Sequence, residues 1–407
     1  MPFVIHQAFT LIENGHVFDV ANTASFVSTK KLTTHSEYCA VNHMKYLNFD
    51  YSKLTSDDSI VMRLLQLMSL AQFNNIPLIL NRTGQRLFCP NTTEPQTIPQ
   101  HFCIGFLTSG TTGQPKLIFK QFESLAQKKS THTHHRTKRR YDSKWLLCYH
   151  PFSFAGIQVI LHTVLGGETL VSQPMYNVTD LALAADRHAV NGISATPSLF
   201  KSLLLVWGKS TPDLSVITFG GEVCGQDLLS LTAQLFPNAS IRHIYATTET
   251  GVIMTVDDGL AGFAKNTLDD AQNGWGLTIE NEQLVLTKDT CVVKTGDMLI
   301  ENQARYYFVG RIDNVVNVGG EKVNLEAIER QLTSLQGVSD ACVYAKANPI
   351  TGNLICADVV LCDPLEHAML VINEWKRSLI PAQRPRIVKP VDFIQLSDTG
   401  KKIRTRA

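Results

Sequence analysis

The stretch of this chain best equipped for chemistry is Phe106-Leu107-Thr108-Ser109-Gly110-Thr111-Thr112-Gly113-Gln114-Pro115-Lys116-Leu117-Ile118-Phe119. It joins two apolar runs, Cys103 to Leu107 and Leu117 to Phe119. Ordering so polar a loop costs conformational entropy unless it wraps something. Gly110 and Gly113 can take positive φ and let the backbone approach a ligand closely. Successive N–H groups, with the hydroxyls of Thr108, Ser109, Thr111 and Thr112, form a concavity suited to an anion. Lys116 adds a point charge that suits phosphate. The spacing differs from that of the Walker A loop. The competing reading is a plain polar hairpin, which the density of small donors followed by lysine disfavours.

The loop resembles the phosphate loop T-S-G-T-T-G-x-P-K-G of the adenylate-forming superfamily, which holds acyl- and aryl-CoA ligases, firefly luciferase and the adenylation domains of peptide synthetases. Leu117 stands where glycine is usual. Further motifs follow in that superfamily's order. Gly220-Gly221-Glu222 matches its glycine-rich turn on the adenine side. Tyr245-Ala246-Thr247-Thr248-Glu249-Thr250-Gly251 resembles Y-G-x-T-E-x-G, with Ala246 in place of a glycine. The resemblance implies that Tyr245 stacks near adenine, Thr248 contacts phosphate and Glu249 binds magnesium. Magnesium prefers a carboxylate together with phosphate oxygens and water.

Val293-Lys294-Thr295-Gly296-Asp297 resembles Y-x-T-G-D, with Val293 for tyrosine. The resemblance implies that Asp297 accepts from both ribose hydroxyls, work suited to an ionised, acceptor-only carboxylate. Gly310-Arg311-Ile312-Asp313 and the following Gly319-Gly320-Glu321 resemble the superfamily's G-R-x-D and G-G-E. They imply Arg311 at ribose and phosphate, Asp313 as the hinge, and Gly320 beside a passing pantetheine arm. The closing Leu396-Ser397-Asp398-Thr399-Gly400-Lys401-Lys402-Ile403-Arg404 resembles P-x-T-x-x-G-K, without the proline and with an extra lysine. Counting from Gly400 selects Lys401 as the catalytic lysine; counting back from Ile403 selects Lys402. Lys401 is preferred.

His150-Pro151-Phe152-Ser153-Phe154-Ala155-Gly156 resembles P-x-F-H-x-x-G at the acyl pocket, with Ser153 where histidine is usual. The expected pocket residues are Phe152, Ser153, Phe154, Ala195, Thr196, Gly220 and Ala246. They are small or aromatic, which suits an aryl or medium acyl acid. None is an acid that could receive an α-amino group.

These residues need a scaffold. At 407 residues the chain exceeds one ordinary core. Its apolar, moderately charged composition is that of a globular protein, and a net charge of +1 argues neither for nor against nucleic acid. No run of 18 apolar residues suggests a membrane span, and the start lacks the form of a signal peptide. Nine scattered cysteines without a C-x-x-C pair fit reduced thiols in the cytoplasm.

Apolar residues recur at helical spacing from Ser59 to Phe73, and Ile76 to Leu80 reads as a buried strand. Gln121 to Tyr141 reads as a helix and its exit, with Lys128, Lys129, Arg136, Lys138, Arg139 and Arg140 forming a basic cluster interleaved with His132, His134 and His135. The cluster is a solvated face, a dock for an anionic partner or, least favoured because no Cys or carboxylate joins it, a histidine metal site. Helices are expected over Ile157 to Leu165, Leu181 to Ala189, Gln226 to Leu235 and Asn324 to Leu335. Strands are expected over Trp145 to Tyr149, Glu168 to Ser172, Leu214 to Phe219 and Ile241 to Tyr245, and Gly192 to Ser198 reads as a strand running into a helix start, with Pro197 suited to the first turn. Such alternation predicts a mostly parallel sheet with ligands at the C-terminal strand ends.

The expected fold is α/β. A large N-terminal domain of helix-covered sheets, shortened before the phosphate loop, spans residues 1–310. A small mobile C-terminal α+β domain spans 311–407, with the hinge near Asp313. The resemblance implies ATP-dependent activation of a carboxylic acid to an acyl-adenylate, with magnesium, followed by transfer to a thiol. Coenzyme A is the favoured acceptor, and the phosphopantetheine arm of an acyl or aryl carrier protein is the alternative. Neither nucleic acid nor a membrane span is expected. A non-catalytic nucleotide-binding descendant is the runner-up from another class, and a luciferase-type oxygenase is a weaker third reading.

Overall fold

The computed structural model describes residues 8–13, 16–20, 36–41, 44–54, 59–82, 98–109, 115–126, 143–173, 177–269, 274–362, 364–397 and 399–404. Strands with apolar residues on both faces must be covered on both. Lys144–Leu147 is such a strand: Trp145 and Leu147 join one buried cluster while Leu146 joins another. It lies within an eight-stranded sheet whose order, by residue range, is 251–256, 240–247, 216–220, 192–195, 144–147, 169–172, 9–13, 16–20. The inner pairings are parallel, and an antiparallel hairpin closes each edge.

The helices, in chain order, are α1 (Ile60–Phe73), α2 (Phe122–Leu125), α3 (Phe154–Gly166), α4 (Val178–Arg187), α5 (Pro197–Trp207), α6 (Gln226–Leu235), α7 (Leu325–Thr333) and α8 (Leu365–Ser378). Helices α1 and α3 share a core with one face of the large sheet and with a five-stranded sheet ordered 36–41, 44–50, 78–81, 104–109, 115–120. Helices α4, α5 and α6 cover the opposite face of the large sheet. The parallel, helix-covered sheet expected from the alternation is present.

Helix α2 is a single turn, shorter than the run expected from Gln121. The basic cluster and its histidines lie outside the described residues. So do Gly110, Thr111, Thr112 and Gly113; on either side of them Ile104–Ser109 and Pro115–Lys120 pair antiparallel.

A second five-stranded sheet is antiparallel and ordered 263–264, 305–311, 291–302, 283–288, 276–280. It departs from the parallel pattern expected around the motifs, because its four strands between residues 276 and 311 are joined by tight turns rather than helices. Beyond it a separate apolar core gathers Val323, Ile328 and Leu332 with Val343, Ile355 and Ile372. That core holds α7, α8 and a three-stranded sheet of Val338–Asn348, Gly352–Leu361 and Ile387–Pro390. Asn324 caps α7 by accepting from the Ala327 N–H at 3.1 Å. Among the described residues no helix is long and apolar enough to cross a membrane.

Candidate active site

The large sheet delivers its motif residues where strands end. Strand Val216–Gly220 runs into Gly221 and Glu222, and strand Ser240–Thr247 runs into Thr248 and Glu249. Together with Gly220, Tyr245 and Ala246, these residues line a cleft of about 2180 Å³. Thr248 and Glu249 occupy a turn closed by the Thr247 hydroxyl, which accepts from the Thr250 N–H at 3.1 Å. The Glu249 carboxylate is exposed there. Its backbone carbonyl accepts from Lys120, whose ammonium is pushed below its ordinary pKa by burial; the Glu249 charge opposes that shift and Lys288 adds to it.

The antiparallel sheet supplies the opposite wall. Asp297 and Arg311 are register partners on neighbouring strands. The Asp297 Oδ1 accepts from Arg311 Nη1 at 2.9 Å, and Oδ2 accepts from the Tyr245 hydroxyl at 2.5 Å. Arg311 also reaches Asp313 at 3.0 Å. Burial lowers the Arg311 pKa, but Asp297 and Asp313 outweigh it and leave the group above its ordinary value. Burial and the neighbouring Asp297 charge both push the Tyr245 phenol upward, so it remains a donor. Each carboxylate oxygen carries two lone pairs, so Asp297 can still accept hydroxyls. Tyr245 stacks on Phe308 with ring centroids 5.0 Å apart and planes at 20°. Gly296 is required by geometry: its φ is +74°, and a Cβ would lie 3.3 Å from Arg311 Nη2.

The two closing lysines separate clearly. Lys402 is buried, with its Nζ 2.8 Å from Asp340, 3.1 Å from Glu329 and bonded to the Ala341 carbonyl. Arg404 joins the same cluster through Glu329. Burial would raise the Glu329 pKa and lower that of Lys402, yet the mutual charges win and stabilise both ionised forms. Lys401 instead lines the cleft, exposed, with its Cε 3.4 Å from where a Cβ on Gly221 would stand.

Around the expected acyl pocket, Phe152, Ser153 and Phe154 line the cleft. Ser153 is the N-cap of α3: its hydroxyl accepts from the Gly156 N–H at 3.0 Å and donates to the His150 carbonyl at 2.7 Å. His150 is buried, accepts from the Phe152 N–H at 3.0 Å, and has its pKa lowered to about 3 by burial and then by the Arg82 charge. Thr108 also reaches the cleft. Ala195 and Thr196 are fully buried and stand outside its lining. Lys116 and Gly320 are exposed and also stand outside it; Gly320 occupies the turn between Val315–Val318 and Glu321–Asn324. The motif reading passed over Phe308, Lys120 and the Glu329–Asp340 pair. For Phe308 alone a signal existed: it sits two residues before Gly310 on an alternating strand.

A parallel sheet and an antiparallel sheet meet over one cleft, and a lysine of the closing segment lines it, a two-part architecture. The chain belongs to the AMP-binding enzyme family: its family model matches residues 28–303, and that of the AMP-binding enzyme C-terminal domain matches 327–401. Among curated relatives, a plipastatin synthase of Bacillus subtilis is 23% identical over 74% of this chain and 9% of its own length. The long-chain-fatty-acid–CoA ligase FadD13 of Mycobacterium tuberculosis is 25% identical over 73% of this chain and 65% of its own. The chain therefore spans less than two thirds of either relative. The structure of o-succinylbenzoate CoA synthetase from Bacillus subtilis, in complex with its acyl-adenylate intermediate, shares the fold. Its TM-score is 0.59 at 18% identity, covering 98% of this chain and 94% of that one.

The lysine geometry makes a prediction about stability. Lys402→Met leaves Glu329 to Arg404 alone and Asp340 to the more distant Lys201 and should destabilise the protein by up to about 3–5 kcal/mol, whereas Lys401→Met should stay within about 0.5 kcal/mol. Denaturant unfolding of the two variants measures this; equal effects would reject the separation. The Glu329 pKa is lowered on folding, so its contribution holds above its unfolded value and fades as pH falls. The Lys402 pKa is raised, so its contribution holds below its unfolded value and fades as pH rises. The cluster should therefore stabilise fully between about pH 4.3 and about pH 10.4.

Proposed function

We propose that this chain activates a carboxylic acid with ATP, releasing pyrophosphate to give an acyl-adenylate, and then passes the acyl group to a thiol, with coenzyme A favoured. The observation that carries this reading is the convergence of Lys401, Asp297 and Glu249 on one cleft. In the first half, a substrate carboxylate oxygen attacks the α-phosphorus and pyrophosphate leaves. Lys401 bridges the incoming carboxylate and the α-phosphate. Asp297 and Arg311 hold the ribose, Tyr245 the adenine, and Thr248 a phosphate. Thr108, Ser109, Thr111, Thr112 and Lys116 receive the leaving pyrophosphate. Catalysis of this kind is largely positioning and charge neutralisation.

The single exposed carboxylate of Glu249 fits a magnesium ion that arrives with the triphosphate; among the described residues no group of three or more His, Cys, Asp or Glu stands ready to hold a metal. Such an ion would neutralise phosphate charge. Phe152, Phe154 and Ala246 give the acyl end an apolar lining that suits an aryl or medium acyl acid.

In the second half a thiol sulfur attacks the acyl carbon and AMP leaves. Gly320 lies away from the cleft, so this half calls for the part from residue 311 onward to turn about Asp313, a hinge-type change. A cytoplasmic location belongs to the same reading.

Pyrophosphate release, screened over carboxylic acids with ATP, tests the proposal; no release with any acid would leave the non-catalytic reading. Offering coenzyme A and a phosphopantetheinylated carrier protein in parallel then identifies the acceptor. Lys401→Ala should remove all but a residual trace of adenylate formation and spare transfer from a supplied acyl-adenylate. Adenylation retained in Lys401→Ala would remove that lysine from the reaction. Asp297→Asn should weaken ATP binding roughly 10-fold or more, the worth of a hydrogen bond to a charged group, with acid binding retained. Equal loss for both ligands in calorimetric titration would count against a ribose contact.

A further inference from the structure

We propose that Thr196 and Glu222 are positioning residues for Lys401: at the N-terminus of α5 they form a socket that docks Gly400–Lys402 and sets the lysine over Gly221. This rests on the reading above that Lys401 acts in adenylation. By motif and pocket position both residues were expected at ligand contacts. Their polar atoms are committed to the closing segment of the chain instead.

Thr196 is fully buried and caps α5, accepting from the Leu199 N–H at 3.1 Å. A hydroxyl has one proton to donate, and Thr196 gives it to the Gly400 carbonyl, 204 residues further on. Glu222 uses its two oxygens on two different parts of the chain. Oε2 accepts from the Ser198 N–H of α5 at 3.0 Å, and Oε1 accepts from the Lys402 N–H at 3.3 Å. Ser198 lies in the first turn of α5, whose N–H groups have no intrahelical acceptor and whose dipole favours a carboxylate. Glu222 therefore satisfies a helix end and the tail together. One turn along, Lys201 of α5 reaches Asp340 at 3.4 Å and ties the helix to the C-terminal core.

Glycine permits the close approach on both sides. A Cβ on Gly400 would stand 3.1 Å from the Thr196 hydroxyl and 3.3 Å from Leu199; its φ is +73°. Gly221, with φ of +81°, leaves the room that Lys401 occupies. Ser397 tightens the turn, accepting from the Lys401 N–H at 3.2 Å through its hydroxyl and donating its own N–H to the Lys401 carbonyl at 2.7 Å. The lysine that reaches the cleft is thus presented by a turn that Thr196 and Glu222 hold against the N-terminus of α5.

The test uses the full chain carrying Thr196→Val, Thr196→Ser, Glu222→Ala or Glu222→Gln, each alone and with Lys401→Ala. Thr196→Val and Glu222→Ala should lower the adenylation kcat roughly 10-fold or more, with the KM for ATP within about twofold. Thr196→Ser, which keeps the cap and the donated proton, should match wild type. In the Lys401→Ala background neither change should cause further loss, because both act through that lysine. Amide hydrogen exchange at Lys402 should quicken in Glu222→Ala and Glu222→Gln. A raised KM for ATP with kcat unchanged would make Glu222 a nucleotide contact and overturn the proposal. Losses that multiply with Lys401→Ala, or unaltered exchange at Lys402 in both Glu222 variants, would overturn it too. Exchange is read without turnover, so it decides the socket even if wild type activates no acid and the functional reading falls.

Discussion

Two carboxylates inside the C-terminal core set the course of the chain's closing segment. Glu329 and Asp340 are buried, and a buried charge without a partner is penalised by several kcal/mol. Their partners are Lys402 and Arg404, with Lys201 reaching Asp340 from α5. Residues 402 and 404 are two apart, and in extended chain such residues face the same way while the residue between neighbours faces the other. Lys402 does sit in extended chain, paired with Leu396. Satisfying the buried carboxylates on one side therefore turns Lys401 to the opposite side, toward Gly221. The placement of Lys401 in the cleft follows from an electrostatic requirement of the smaller core.

That requirement explains why the sequence left the two lysines close to even. Gly400 and Ile403 flank both, and nothing local separates a lysine that pairs with buried acids from one that faces a cleft. The deciding partners, Glu329 and Asp340, lie 73 and 62 positions away. Local patterns served better where the answer was local. The helix expected over Gln226 to Leu235 is the helix observed, and the apolar runs around the phosphate loop form the two strands on either side of it. Pro197 announced the start of α5, but the second bond of the Thr196 hydroxyl depends on a residue at the far end of the chain.

The wall formed by Asp297 and Arg311 was harder to read for a different reason. Its strands break register beside the residues that matter: between Met298 and Leu299 next to Asp297, and between Tyr245 and Ala246 on the facing strand of the large sheet. A bulge re-aims a side chain by inserting a residue into the alternation, so a strict two-residue period assigns such residues to the wrong face. The motifs name the residues; the bulges turn the Tyr245 hydroxyl and the Asp297 carboxylate toward each other.

Arg311 belongs to two settings at once. One nitrogen of its guanidinium holds Asp297 on the antiparallel sheet, and another holds Asp313 in the short turn leading to the C-terminal core. The turn itself is narrowly specified: Glu326 of α7 accepts from the Arg311 N–H at 2.9 Å and from Asn314 at 2.7 Å, and a Cβ on Gly310 would stand only 2.2 Å from the Glu326 Oε2. The proposed rotation at this turn would draw Asp313 away from the guanidinium and leave it paired with Asp297. A molecule engaging Asp297 changes the same balance from the other side. Thermodynamic linkage makes the two effects equal in free energy: whatever the position of the C-terminal core does to occupancy at Asp297, occupancy at Asp297 does to that position. On the proposed reading, one arginine would make ligand binding and chain geometry readable in each other.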